Sequence, residues 1–124
     1  MEGQGVFGRF DVSSFTALVK RAEQVLGVPV ESWENSRQFV KGAIATGGAG
    51  YTSYLREAQQ LDCDTYITGE GSMYTKLFAR EVGMNLVFGS HYATELPGIK
   101  AFAAYVAGEF GLPWETIAED MSVR

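Results

Sequence analysis

The feature that most limits this fold is a repeated change of apolar periodicity, from strand-like alternation to helical spacing and back, with glycine at nearly every change. Val6 to Phe10 is short and apolar on alternate positions, as a strand requires. Ser13 or Ser14 caps a helix reaching Leu26, which turns Phe15, Leu18, Val19, Ala22, Val25 and Leu26 to one face. Gly27 then stops it, where a left-handed cap favours a residue without Cβ. Val28 to Trp33 predicts a strand, Glu34-Asn35-Ser36 a polar turn, and Phe39 to Thr46 a buried strand ending at Gly47-Gly48-Ala49-Gly50. A helix over 52–61 and a short strand from Thr65 to Thr68 come next. Gly69-Glu70-Gly71 breaks the chain, and Ser72 caps a helix from Met73 to Val82 that Gly83 stops. Leu86 to Phe88 is the next strand and runs into Gly89-Ser90-His91. A long helix from about Thr94 to Phe110 is expected to point Ile99, Phe102, Ala103 and Val106 inward, before an extended piece from Leu112 to Ile117. This order predicts a single α/β domain over 1–124: a central sheet, mostly parallel or mixed, flanked by helices.

Composition excludes several classes of function. A net charge of −5 repels a phosphate backbone, and Lys20-Arg21 is the longest basic cluster, so no nucleic-acid partner is expected. Cys63 stands alone, which rules out an internal disulfide and a cysteine-based zinc knuckle. It is expected as a small buried or half-buried thiol. No apolar run is long enough to span a bilayer, and Met1-Glu2-Gly3-Gln4 is neither a basic leader nor an apolar one. The sequence therefore reads as cytoplasmic. Met73, Met84, Phe88 and Phe102 are expected in the core, while Trp33 and Trp114 fit either a core or an interface.

Three places where a strand ends interrupt this pattern with chemistry. Ligands collect at the carboxyl ends of parallel strands, because loops and helix N-termini converge there. His91 and Glu95 lie four apart and share a helical face if the helix has begun by His91, with a nitrogen and a carboxylate that suit zinc, iron or manganese. Such a pair also arises often by chance, and two donors fall short of a complete site. Glu70 directly follows a buried strand, where it can orient a ligand histidine, act as a general base, or simply charge the N-terminus of the next helix. The loop Gly47 to Gly50 can hold an anion on its amides, although a tight turn of small residues explains it at least as well. As a dinucleotide fingerprint it is partial, since Ser53 stands at the third glycine while Glu70 takes the place of the ribose-binding acid.

Taken in order, Gly5-Val6-Phe7-Gly8-Arg9-Phe10, Ala45-Thr46-Gly47-Gly48-Ala49-Gly50, Asp64-Thr65-Tyr66-Ile67-Thr68-Gly69-Glu70 and Gly89-Ser90-His91-Tyr92-Ala93-Thr94-Glu95 resemble the C-terminal half of the Nif-three-like dinuclear metal-centre family, often labelled GTP cyclohydrolase I type two-like. Phe110-Gly111-Leu112-Pro113-Trp114 matches the usual ending. The resemblance implies two similar α/β halves, ring-shaped hexamers, and two metal ions held between the halves. It carries His91 and Glu95 over as metal ligands and places Glu70 beside the site as its candidate catalytic acid–base. It also implies a metal-dependent hydrolase acting on a small molecule, with a purine nucleotide as the labelled substrate. The family's adjacent histidine pair and further acid have no counterpart here, because His91 is the only histidine. The divalent-metal site is accordingly expected to be incomplete in this chain alone. Two further classes are expected to compete with the hydrolase: a non-catalytic, oligomeric interaction module, and a nucleotide-binding domain using Gly47 to Gly50.

Overall fold

The computed structural model describes residues 3–119. The elements are β1 (Val6–Arg9), α1 (Phe15–Leu26), β2 (Glu31–Trp33), β3 (Lys41–Ala45), α2 (Thr52–Gln60), β4 (Thr65–Thr68), α3 (Met73–Glu81), β5 (Asn85–Phe88) and α4 (His91–Phe110). They build one five-stranded mixed sheet in the order β1-β3-β4-β5-β2. β3, β4 and β5 run parallel, joined by α2 and α3, and the two edge strands pair antiparallel to β3 and β5. The α/β architecture with a mixed sheet is the one the alternation of periods predicts.

Burial follows from position in the sheet. Every residue of β4 and β5 is buried, as expected of central strands covered on both faces. Alternate side chains separate into two cores. Tyr66, Leu86 and Phe88 pack with Leu55 and Ala58 of α2 and Ala79 of α3. Ile67 and Val87 face the other way, onto Phe15 and Leu18 of α1. The polar groups buried between strands are matched: Asn85 accepts from Ser36 N at 2.9 Å and donates to Gln38 O at 3.0 Å. Asp64 Oδ2 accepts from Val40 N at 2.6 Å and Lys41 N at 3.1 Å, which fixes the chain as it enters β3. Among the described residues no buried side-chain nitrogen or oxygen lacks a hydrogen-bond partner.

Several boundaries and faces differ from the sequence reading. β2 covers only the end of the expected Val28–Trp33 run, and Pro29, which has no N–H to donate, lies outside its ladder. β3 starts at Lys41, and Phe39 instead stacks on Phe10 with ring centroids 4.4 Å apart. Met84 and Phe88 are buried as expected, whereas Met73, Val25 and Phe102 are exposed. Trp33 is half-buried and meets Phe88 edge-on at 5.1 Å. Residues 112–119 form no regular element, and Trp114 with Ile117 lines a groove of about 370 Å³ along α4.

The largest correction concerns α4. It starts at His91, and Ala93 is its only buried residue. Ile99 and Phe102, expected to point inward, are 65% and 67% exposed, and Tyr105 and Phe110 are 66% and 73% exposed. Helical spacing showed which residues share a face but not whether this chain covers that face. Among the described residues no helix is long and apolar enough to cross a membrane.

Candidate functional site

The parallel register places the ends of β3, β4 and β5 side by side, with Ala45 opposite Thr68 and Thr68 opposite Phe88. The loops that leave these strands carry Gly47, Glu70 and His91. The three chemical features picked out along the sequence thus meet at one sheet edge, for the topological reason that grouped them.

His91 sits at the centre. Its Nδ1–H donates to Glu70 Oε1 at 2.8 Å, while Nε2 lies 3.2 Å from Glu95 Oε1 one turn further along α4. The helix begins early enough for that second contact because Ser90 caps it, its side chain accepting from Ala93 N at 3.1 Å. Ser90 has φ 69°, a left-handed value that is uncommon for a residue other than glycine, and the His91 ring that follows it meets Glu70 and Glu95. The side chains of His91, Glu70 and Glu95 are 50%, 62% and 49% exposed, so the group lies open to solvent. The bonded Glu70 carboxylate, with Glu95 beside it, holds His91 above its ordinary value of 6.5 against a smaller opposing effect of desolvation.

The glycine loop forms the floor. A Cβ on Gly48 would lie 3.3 Å from His91 Cε1, and one on Gly47 would collide with Glu95 Oε1. Gly47 N–H donates to Thr94 Oγ1 at 3.0 Å, so that amide is not free for a phosphate. One oxygen of the Glu70 carboxylate, Oε1, engages His91. Ser90 and Thr94 are the residues here that spacing alone did not bring forward. A serine immediately before His91 was the available sign, since a cap at Ser90 starts the helix at His91.

Chemically, the arrangement is a carboxylate–imidazole–carboxylate line. The two acids lie on opposite edges of the ring, so the three side chains do not converge on one point. Among the described residues no group of three or more histidine, cysteine, aspartate or glutamate side chains is placed to hold a metal ion. Cys63 is buried away from this edge, and burial pushes its thiol above the ordinary value.

A layered α/β fold with an acid–histidine–acid group at the ends of its parallel strands defines the class. The sequence profile of the family described as Duf34/NIF3 (NGG1p interacting factor 3) matches residues 1–121, and the chain belongs to this family. It is 38% identical over 98 residues to the GTP cyclohydrolase 1 type 2 homolog of Haemophilus influenzae, covering 77% of this chain and 38% of that protein. The protein of the same description from Pyrococcus horikoshii is 32% identical over 111 residues, covering 87% of this chain and 43% of the other. Among solved structures, protein ybgI, described as of unknown function, superposes with a TM-score of 0.86 at 26% identity, over 96% of this chain and 49% of that one. Reduced HcgD from Methanocaldococcus jannaschii shares the fold at a TM-score of 0.79 and 23% identity, over 89% of this chain and 44% of its own. The chain thus spans less than half the length of each of these relatives.

Proposed function

We propose that this chain supplies part of a divalent-metal centre in a metal-dependent hydrolase, with His91 and Glu95 as ligands and Glu70 fixing the imidazole. One observation carries the reading: Nδ1 is held by Glu70 at 2.8 Å while Nε2 lies 3.2 Å from Glu95 Oε1. Two donors on one zinc-sized ion, each about 2.0–2.1 Å from it, stand roughly 3.3 Å apart at a tetrahedral angle. A histidine whose other ring nitrogen donates to a carboxylate is also the usual metal-binding arrangement, because that bond fixes the tautomer and makes the free nitrogen more basic. The donor set fits zinc, iron or manganese, and it is incomplete. The remaining ligands come from outside these residues, either from a second copy or from the portion that longer relatives possess.

A bound ion would supply an activated water at neutral pH. Around it Glu70 holds the imidazole in place, Glu95 offers the anionic donor, and the Gly47–Gly48 floor leaves room for both side chains. The relatives' description makes a purine nucleotide the first small molecule to try as substrate. The direct test is the metal content of purified protein by plasma mass spectrometry, beside His91→Ala. Near-stoichiometric zinc, iron or manganese that disappears in the variant is expected. Equal metal in both would refute the assignment, and metal-free protein would refute completion of the site by a second copy.

A specific observation also favours an assembly role. The exposed row Ile99, Phe102 and Tyr105 repeats every three residues on α4 and, among the described residues, joins neither core cluster. Burying it between copies gives a homo-oligomer, of which the six-membered ring of the resemblance is one form. This supports the metal reading as well, because assembly is one way for stranded ligands to acquire partners.

A further inference from the structure

Gly47 joins all three strand ends. Its carbonyl accepts from Gly69 N at 3.1 Å and Glu70 N at 3.2 Å, with Thr68 Oγ1 at 3.4 Å. Its N–H goes the other way, to Thr94 Oγ1 at 3.0 Å in the first turn of α4. The Thr94 hydroxyl hydrogen lies within reach of two carbonyls, Ser90 O at 2.9 Å and His91 O at 3.1 Å. One glycine therefore ties the loop bearing Glu70 to the helix turn bearing His91 and Glu95.

The junction has little slack. Gly47 sits at φ 69°, a conformation that side-chain-bearing residues rarely adopt, and a Cβ there would stand 3.1 Å from His91 Nε2 as well as colliding with Glu95 Oε1. On the facing side, a Cβ on Gly69 would meet Gly47 O at 2.5 Å, with His91 Cα and Thr94 Oγ1 both at 2.8 Å. Any drift of the Gly47 turn would move the floor under Glu95 and the carbonyl that orders the Glu70 backbone together.

We infer that Thr94 is a positioning residue: its hydroxyl locks the Gly47 turn against α4 and so sets the mutual placement of Glu70, His91 and Glu95. Its hydroxyl hydrogen-bonds to none of these carboxylate or imidazole groups and acts through Gly47. The glycine loop is then the template of the site rather than an anion cradle, since its first amide is already committed. The inference deepens the metal-centre reading and rests on it for its functional consequence.

The test compares Thr94→Val, which keeps the shape and removes the hydroxyl, with Thr94→Ser, which keeps the hydroxyl, both in the full chain. Cobalt(II) is the probe, read by titration and by its visible ligand-field bands. Thr94→Val should weaken cobalt binding by about tenfold or more and shift the bands, while Thr94→Ser stays near the parent in both. A purely structural threonine would lower the melting temperature of Thr94→Val but leave the affinity and spectrum of the folded protein unmoved, and that result overturns the inference. So does an equal loss in both variants. Should Thr94→Val not fold, Thr94→Ala carries the same comparison. Should the parent bind no cobalt, copies of this chain do not complete the metal site, and the positioning role is judged on metal-free protein by ¹⁵N signals of the His91 ring at about pH 9. A single Nδ1–H tautomer in the parent and Thr94→Ser, giving way to a mixture in Thr94→Val, supports the lock. Identical ring signals in all three refute it.

Discussion

Removing the carboxylate of Glu70 separates an orienting acid from a metal ligand. In the structure Glu70 Oε1 reaches His91 Nδ1 at 2.8 Å, on the opposite edge of the ring from Glu95. An acid in that position acts on the metal only through the imidazole, by fixing its rotation and raising the basicity of Nε2. Loss of such a partner costs between ten- and a hundredfold in metal affinity, roughly. Here the two side chains are 50% and 62% exposed, so water replaces part of the lost bond and the lower end applies. Glu70→Ala is therefore expected to weaken cobalt or zinc binding by about tenfold. Glu70→Gln, whose amide oxygen still accepts from Nδ1–H, should cost less, about threefold, because the charge-assisted bond becomes a neutral one. His91→Ala and Glu95→Ala remove donors outright and should cost about a hundredfold or more. Competition against a chelator of known affinity measures all four on one scale. If Glu70→Ala proves as damaging as His91→Ala, Glu70 is itself a ligand. If it has no effect, the Nδ1 bond does not orient the ring, and in either case the reasoning fails.

Three other outcomes follow from particular contacts. Because His91 is held above 6.5, metal must displace a proton up to a higher pH than usual, so affinity should fall about tenfold per pH unit below the raised value, and a flat profile would exclude His91 as a ligand. In metal-free protein the sign reverses: the imidazolium–carboxylate contribution is complete below 6.5 and is lost as pH rises through the raised value, a small change for groups half in water that urea titrations at several pH values can follow. Asp64→Ala strands the amides of Val40 and Lys41 and should cost about 3–5 kcal/mol in urea unfolding, with a loss under about 1 kcal/mol showing that water replaces the carboxylate. If copies associate through α4 as proposed, Ile99→Ser with Phe102→Ser should lower the mass seen in light scattering while leaving the circular dichroism of the chain unchanged, and an unchanged mass would refute that interface.

The elements were readable because glycine and serine mark their ends: Gly27 closes α1 in the left-handed region, and Ser72 caps α3 with Thr75 returning the bond. The grouping of Gly47, Glu70 and His91 was also readable, since three strands joined by helices must end on one side. The start of α4 was harder to place. Ser90 was a usable cap signal, but it caps from a positive φ that serine rarely adopts, which the sequence does not announce. The connection through Thr94 was not legible at all, because a hydrogen bond across 47 positions leaves no local pattern. The exposure of Ile99 and Phe102 escaped for a different reason: amphipathic spacing is the same whether the covering surface belongs to the same chain or to another.

Pro97 lies inside α4 and brings no amide hydrogen to the rung that would close on the carbonyl of Ala93. The break falls between the turn bearing His91 and Glu95, anchored by buried Ala93, and the solvent-facing stretch that follows. One continuous helix is thus expected to open as two units. The first turn is expected to open only with the sheet, and the exposed remainder more readily. Amide hydrogen exchange should show this as a step in protection at Pro97, with the site retaining its geometry while the distal helix frays.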